Sequence, residues 1–384
     1  MFARLFSTPY LRPDCAVWLA AVCAAVAGCG VPPPPAAPPP GARAPATEPL
    51  CSRIAAVVNH ARNARRLDAA VHGAWQVVHG ILAFGPDFPL AHEGSVSPAL
   101  EYLLGGGRIT GWQLRPGDHG VVAVVEEGST TGQGHPDQWL GYLSQCGLGG
   151  IPLDTKLIVA GRDFTLADLL AQAKHDIRPG QEATWTLMAL AAYLPSDAAW
   201  KASDGSSWTI ERVVQMEADA DLSSSACGGA HRLTGLALAL SAHRKARANP
   251  AVPLTGGWAA AADRLADAID RARAFQQADG SFSTHFFDRP GTSPDVFARL
   301  GATGHIFEVL AIALDDDDLA APWVTRAAER LVTLLEQTED VDVECGGLYH
   351  AIHGLMLYNE RMCPGASPTS VKTAMAEKPR PILR

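Results

Sequence analysis

The sequence predicts an all-α domain, an (α/α)6 barrel or toroid of inner and outer helices. Two observations carry that expectation: one apolar helix start recurs along the chain, and one-sided helices alternate with helices apolar all round. The recurrence is plainest in HRLTGLAL from His231 and HAIHGLML from His350. QVVHGILAF from Gln76, TWTLMALAAYL from Thr184 and HIFEVLAIAL from His305 fit the same frame, and DQWLGYLSQ from Asp137 fits it more loosely. The frame positions 76, 137, 184, 231, 305 and 350 are separated by 61, 47, 47, 74 and 45 residues. A base period in the forties with two enlarged intervals is the mark of a helix-pair repeat.

In chain order, Arg4 and Arg12 make a basic start and Cys15 to Ala27 is an apolar run. The run is short for a bilayer span, so a cleaved signal peptide over 1–28 is expected. Val26-Ala27-Gly28-Cys29 resembles the lipobox of bacterial lipoproteins. The resemblance implies a lipidated Cys29 at the mature N-terminus and an anchor in the envelope membrane. With Gly30 rather than Asp next, likeness to enterobacterial sorting implies the outer membrane. Acyl burial at about 0.8 kcal/mol per CH₂ makes such an anchor stable. Residues 29–49 are Pro-rich and read as a semi-rigid spacer.

The helical domain is expected over 50–362. Its outer helices are SRIAAVVNHARNARRL, TLADLLAQAKH with a capping box from Thr165 to Asp168, WTIERVVQMEAD, WAAAADRLADAIDRARAFQQ and PWVTRAAERLVTLLEQ. Each places apolar residues at helical spacing and charge on the other face. The frame helices lack a wet face, as buried helices do. The glycine-rich stretch near 92–130 reads as an irregular insertion over the mouth, with room for a small hairpin. Residues 363–384 read as a disordered tail. LDDDDL, around Asp315 to Asp318, contains the D-x-D-D of squalene–hopene cyclases, but it follows an inner helix and reads as a solvated capping turn.

The net charge is −9 and no basic stripe is present, which argues against nucleic acid as a partner. Setting aside Cys15, Cys23 and Cys29 leaves Cys51, Cys146, Cys227, Cys345 and Cys363, an odd number whose pairing spacing does not assign.

QQADGSF, Gln276 to Phe282, is similar to the Q-x-x-D-G-S-[FW] repeat of the terpenoid cyclase and prenyltransferase superfamily, and KASDGSSW at Lys201 to Trp208 is a degenerate likeness. The resemblance implies the α/α toroid and gives Gln276 and Asp279 the bracing of helix ends. Relatives in that superfamily hold zinc with Asp, Cys and His; this chain lacks their Cys-His and CHG patterns.

In such a barrel the frame residues line the centre. The first layer is Gln76, Asp137, Thr184, His231, His305 and His350; the second, three residues on, includes His79, Thr234, Glu308 and His353. Polar groups in apolar helices need partners, so a shared polar pocket accounts for them. Gly228, Gly229, Gly304, Gly346 and Gly347 would bring backbone N–H groups to a ligand there. Three chemistries compete. Acid–base catalysis on an envelope glycan, of hydrolase, lyase or epimerase type, would use His231, His305, Glu308, His350 and His353. Asp137 and Glu182 are further acids for it, and Trp75, Trp139, Trp185 and Tyr349 could stack on sugar rings. A zinc-dependent transferase would use His350, His353 and Cys345, with His231 and Cys227 near. A non-catalytic toroid would bind a ligand or partner. Cys227 and Cys345 both precede frame helices and are expected as free thiols, too far apart to bridge.

Overall fold

The computed structural model describes residues 50–125, 134–146, 150–249 and 251–363. The expected signal peptide, Cys29, the tether and residues 364–384 lie outside them. The elements in chain order begin with α1 (Leu50–Ala64), β1 (Leu67–Asp68), α2 (Ala74–Phe84), β2 (Pro89–His92), β3 (Ser95–Pro98), α3 (Ala99–Leu104), β4 (Trp112–Pro116) and β5 (Val121–Val125). Next come α4 (Gln138–Leu143), β6 (Lys156–Val159), β7 (Arg162–Thr165), α5 (Leu166–Asp176), α6 (Thr184–Tyr193), β8 (Ala199–Lys201), β9 (Ser207–Thr209) and α7 (Ile210–Asp219). A 3₁₀ turn at Ala226–Gly229 leads into α8 (Ala230–Ala246), followed by α9 (Gly256–Ala274), α10 (Val296–Ala313), α11 (Asp316–Leu319), α12 (Pro322–Gln337) and α13 (Cys345–Met362).

The all-α (α/α)6 expectation is overturned. Nine short strands in four small sheets lie among the helices of the described residues, so the fold mixes α and β. The strands escaped the helical reading because they are short and turn tightly. In β2–β3 the turn is Glu93 and Gly94 (φ 47° and 79°); in β6–β7 it is Ala160 and Gly161 (φ 50° and 73°). Positive φ at both central residues is the turn that matches strand twist in a two-residue hairpin. Leu157 and Val159 then point into the core while Lys156 and Ile158 point out. In the described part of the stretch read as an irregular insertion, β2–β3, α3 and the β4–β5 hairpin give regular structure.

Three hairpins run straight into helices, β2–β3 into α3, β6–β7 into α5 and β8–β9 into α7. The capping box on α5 is present, with Thr165 N and Oγ1 both donating to Asp168 Oδ2 at 2.8 and 2.9 Å. KASDGSSW is the β8–β9 turn rather than a helix brace: Ser206 N donates to Asp204 Oδ1, and Trp208 Nε1 donates to Ser206 Oγ. QQADGSF does bridge helices. Gln276 Nε2 donates to Trp323 O at 2.8 Å, and Asp279 pairs with Arg330 of α12 at 3.1 Å. Asp315 caps α11 by accepting from Asp318 N.

All six frame stretches are helical: α2, α4, α6, α8, α10 and α13. Each packs on the next, and α13 returns to α2. The core runs through them, with Trp185, Leu187, Leu233, Leu236, Phe307, Leu348 and Ile352 fully buried. Among the described residues α10 alone is long and apolar enough to cross a membrane by length and composition; here it is packed against α8, α12 and α13. A disulfide joins Cys51 in α1 to Cys363, just beyond α13, with Cα atoms 5.8 Å apart. The expected domain end at 362 therefore misses a residue the fold uses. A cross-link closing so long a loop contributes about 2–5 kcal/mol. Cys146, Cys227 and Cys345 are free thiols.

Candidate functional site

The site is built where α10 and α13 cross. A Cβ on Gly304 would lie 2.9 Å from Ala351, and one on Gly347 would lie 2.9 Å from Gly301 Cα. The crossing is close because these positions carry no side chain, and that brings Glu308 of α10 onto two histidines of α13. His350 donates Nδ1–H to Glu308 Oε2 at 2.7 Å, and His353 donates Nδ1–H to Oε1 at 2.5 Å. All three side chains are at least nine-tenths buried. Burial pushes the Glu308 carboxyl up, but His350 and then His353 more than offset it and hold it well below the usual carboxylate range. His350 is itself lowered, by burial first, with Glu308 opposing. Glu308 is therefore an ionised carboxylate, and His350, lowered by burial, is a neutral imidazole beside it. A carboxylate only accepts, so the proton sits on Nδ1 and His350 Nε2 keeps its lone pair.

Three more imidazoles surround His350. Ring centres lie 4.2 Å away for His305, 4.8 Å for His231 and 5.1 Å for His79. His305 donates Nδ1–H to Gly301 O at 2.7 Å, and His79 donates Nδ1–H to Trp75 O at 2.6 Å. Each bond spans one helical turn and turns Nε2 away from its own backbone. Tyr142 O–H donates to His79 Nε2 at 3.1 Å, receives Gln138 Nε2–H at 3.2 Å, and lies 3.5 Å from His350 Nε2. Burial lowers His79 and His231 well below the ordinary imidazole value, and the neighbouring His350 adds to it. Burial also opposes charge on His305, but Cys227, Gly301 O and Glu308 raise it to about 9.

Cys227 enters from the 3₁₀ turn before α8. It is left-handed (φ 50°), as are Gly228 (φ 59°) and Gly229 (φ 84°). A Cβ on Gly228 would strike Phe286 at 2.4 Å, and Phe286 is left-handed too (φ 53°) and packs on His305. Two non-glycine residues in that region meet at one place, as happens where the surroundings force a functional geometry. The turn leaves Cys227 partly exposed. Its sulfur and the ligand nitrogens of His231 and His305 all lie within 4.8 Å of one another.

Of the residues expected to line the pocket, His79, His231, His305, Glu308, His350 and His353 come together, with Trp185 against His231 at 5.1 Å. Thr234 is buried near His231, and its hydroxyl has no hydrogen-bond partner. Others face elsewhere. Gln76 Oε1 accepts from Gly73 N at 2.6 Å and closes the start of α2. Thr184 donates to Glu217, which also pairs with Arg232 at 2.6 Å in a separate buried network. Asp137 accepts from Thr186 Oγ1 at 2.5 Å, and burial pushes its carboxyl up to about 6. Tyr349 packs in the core against Phe84 and Phe88, and Trp139 is also core. Successive helical residues differ by about 100° in direction, so Tyr349 and His350 do not share a face. Glu182 pairs with His135 at 2.6 Å, and the His135 ring stacks on Trp185.

The metal set expected from sequence is not the one that assembles. Cys345 is fully buried at the start of α13, and His350 and His353 give their Nδ1 protons to Glu308. The set that converges is Cys227, His231 and His305. The glycines also differ from expectation: Gly346 and Gly347 give their N–H groups to the Glu344 carboxylate at 2.8 Å each, not to a ligand position. Tyr142 is the site residue the sequence reading missed. The frame was anchored on the polar Asp137, which is left-handed and stands outside α4 as its N-cap. A surface groove of about 630 Å³ lined by Trp208, Arg212 and Met216 shares no residue with this cluster. No family model, curated protein or solved structure matches the chain, so the site rests on its own geometry.

Proposed function

We propose that the chain is an enzyme of general acid–base type, of the hydrolase, lyase or epimerase class, tethered in the envelope through Cys29 and acting on envelope glycans. The observation that carries the catalytic reading is the buried Glu308 carboxylate bonded to both His350 and His353. An ionised carboxylate on Nδ1 orients the imidazole and stabilises the charge that appears when Nε2 takes a proton. His350 Nε2 is the proton acceptor, and the phenol of Tyr142, 3.5 Å away, becomes the donor by turning its O–H from His79 Nε2. Burial raises the Tyr142 hydroxyl, so it stays protonated. The glycan assignment follows from the export reading and is the part the substrate screen addresses.

The test is a screen of envelope glycans with the wild type, Glu308→Gln and His350→Asn, folding being followed by circular dichroism. Glu308→Gln is expected to lower kcat by about 10²–10⁴-fold, the usual contribution of a positioned acid or base. Turnover that survives both changes in folded protein would refute the reading. No turnover on any glycan would leave the alternative, a non-catalytic protein that binds a ligand or partner, in its place.

A further inference from the structure

Cys227, His231 and His305 come from three separate places: the 3₁₀ turn, the first turn of α8 and the middle of α10. Their ligand atoms lie within 4.8 Å of one another. Around a tetrahedral zinc ion, bonds of about 2.0–2.3 Å put ligand atoms roughly 3.3–3.7 Å apart. Side-chain shifts of about 1–1.5 Å would close the set around an ion of that size.

Three features distinguish this set from an ordinary buried histidine cluster. His305 has its Nδ1–H committed to Gly301 O, which fixes the tautomer and aims Nε2 at the shared space. A ligating histidine almost always has its other nitrogen held in this way. Second, Cys227 is brought there by three consecutive left-handed residues, a conformation that disfavours a residue with a Cβ. Third, thiolate plus imidazole is a donor set of intermediate softness, suited to zinc and poorly suited to calcium or magnesium. Three protein ligands leave one position open, the arrangement of catalytic rather than structural zinc. The His350 ring lies 4.2 Å from His305 and 4.8 Å from His231, beside that position.

We infer that Cys227, His231 and His305 bind one zinc-class transition-metal ion, with an open position beside His350. The ion would supply Lewis-acid polarisation of a bound oxygen, while the Glu308-held imidazole moves the proton. The inference rests on the acid–base reading for the use of the ion, not for its presence.

The experiment uses the full chain, solubilised in detergent and purified without a histidine tag. Zinc is measured by mass spectrometry, and cobalt(II) is then exchanged in. About one zinc per chain is expected, and the cobalt form should show a thiolate-to-cobalt charge-transfer band. Cys227→Ser should lose that band and weaken zinc binding by at least about 10-fold, whereas Cys345→Ala should change neither. Should Cys227→Ser not fold, the wild type still decides: Cys227 should resist iodoacetamide until a chelator is added. No binding of zinc or cobalt, with equal alkylation with and without chelator, overturns the inference and leaves a thiol–imidazole pair. Zinc lost from Cys345→Ala but kept by Cys227→Ser overturns it as well. Protein that takes up neither zinc nor cobalt yet turns over a glycan sinks the metal inference alone; zinc-loaded protein indifferent to His350→Asn sinks the acid–base reading alone.

Discussion

Cys227-Gly228-Gly229 and Cys345-Gly346-Gly347 are the same three residues before the same kind of apolar helix, and they fold in opposite ways. The first is a left-handed turn that ends before α8 begins. The second is already helix, the first turn of α13. The cause is the residue in front. Glu344 offers a carboxylate whose two oxygens accept Gly346 N and Gly347 N, so α13 starts at Cys345 and the thiol is fully buried. Ala226 offers nothing, and Phe286 presses against Gly228, so α8 starts three residues after its cysteine. The Glu344 cap and the Phe286 contact together separate the cysteine that reaches the histidines from the one that becomes core.

The comparison can be broken most forcefully at the glycines. Gly228→Ala forces a Cβ onto Phe286 at a left-handed position and should lower stability by about 2–3 kcal/mol in urea melts. Gly346→Ala, in helical geometry, meets only the edge of Trp75 and the Glu344 carboxylate at 3.0–3.1 Å and should stay within about 1 kcal/mol. Equal losses would mean that the two turns are not as different as described. Next in size is the cap. Glu344→Ala should cost about 1–2 kcal/mol and speed amide exchange at Gly346 and Gly347, leaving Gly228 and Gly229 unchanged.

The smallest effect concerns a third helix start, α4, whose cap Asp137 is left-handed like Cys227 (φ 57°). Burial raises the folded carboxyl from 3.8 to about 6, against the opposing bond from Thr186. A raised carboxyl favours folding in its protonated form. That contribution is present below about pH 4 and is lost as pH rises through about 6. Asp137→Asn should therefore gain on the wild type between pH 4 and 7. The side chain keeps partial exposure, so the gain is about 1 kcal/mol rather than the full about 1.4 per pH unit. A stability difference that does not change with pH would show that Asp137 is already ionised in the fold at no cost.

Much of the site was legible because its residues interrupt apolar helices. His79, His231, His305, Glu308, His350 and His353 stand out at helical spacing, and polar groups there must meet partners. The misassigned positions were equally polar. Gln76, Thr184 and Asp137 sit at helix starts, where a polar side chain serves the backbone N–H groups or a neighbouring carboxylate, and a frame counted by residue number does not separate the two uses. The hairpins were not legible as helix-breaking signals, since Ala160-Gly161 and Glu93-Gly94 announce a turn only when the flanking strands are known to pair.

What the sequence by itself determined is the set of buried helices and the histidines on them, because apolar periodicity and the demand that buried polar groups be paired are local properties of the chain. What only the tertiary structure decided is which thiol joins those histidines. That choice depends on Glu344 reaching two amides, on Phe286 filling the space beside Gly228, and on the glycine-lined approach of α10 to α13 that lets one carboxylate hold two imidazoles. The Glu344 cap is local, but the Phe286 contact and the α10–α13 crossing join segments distant in sequence, and no pattern along a single segment encodes them.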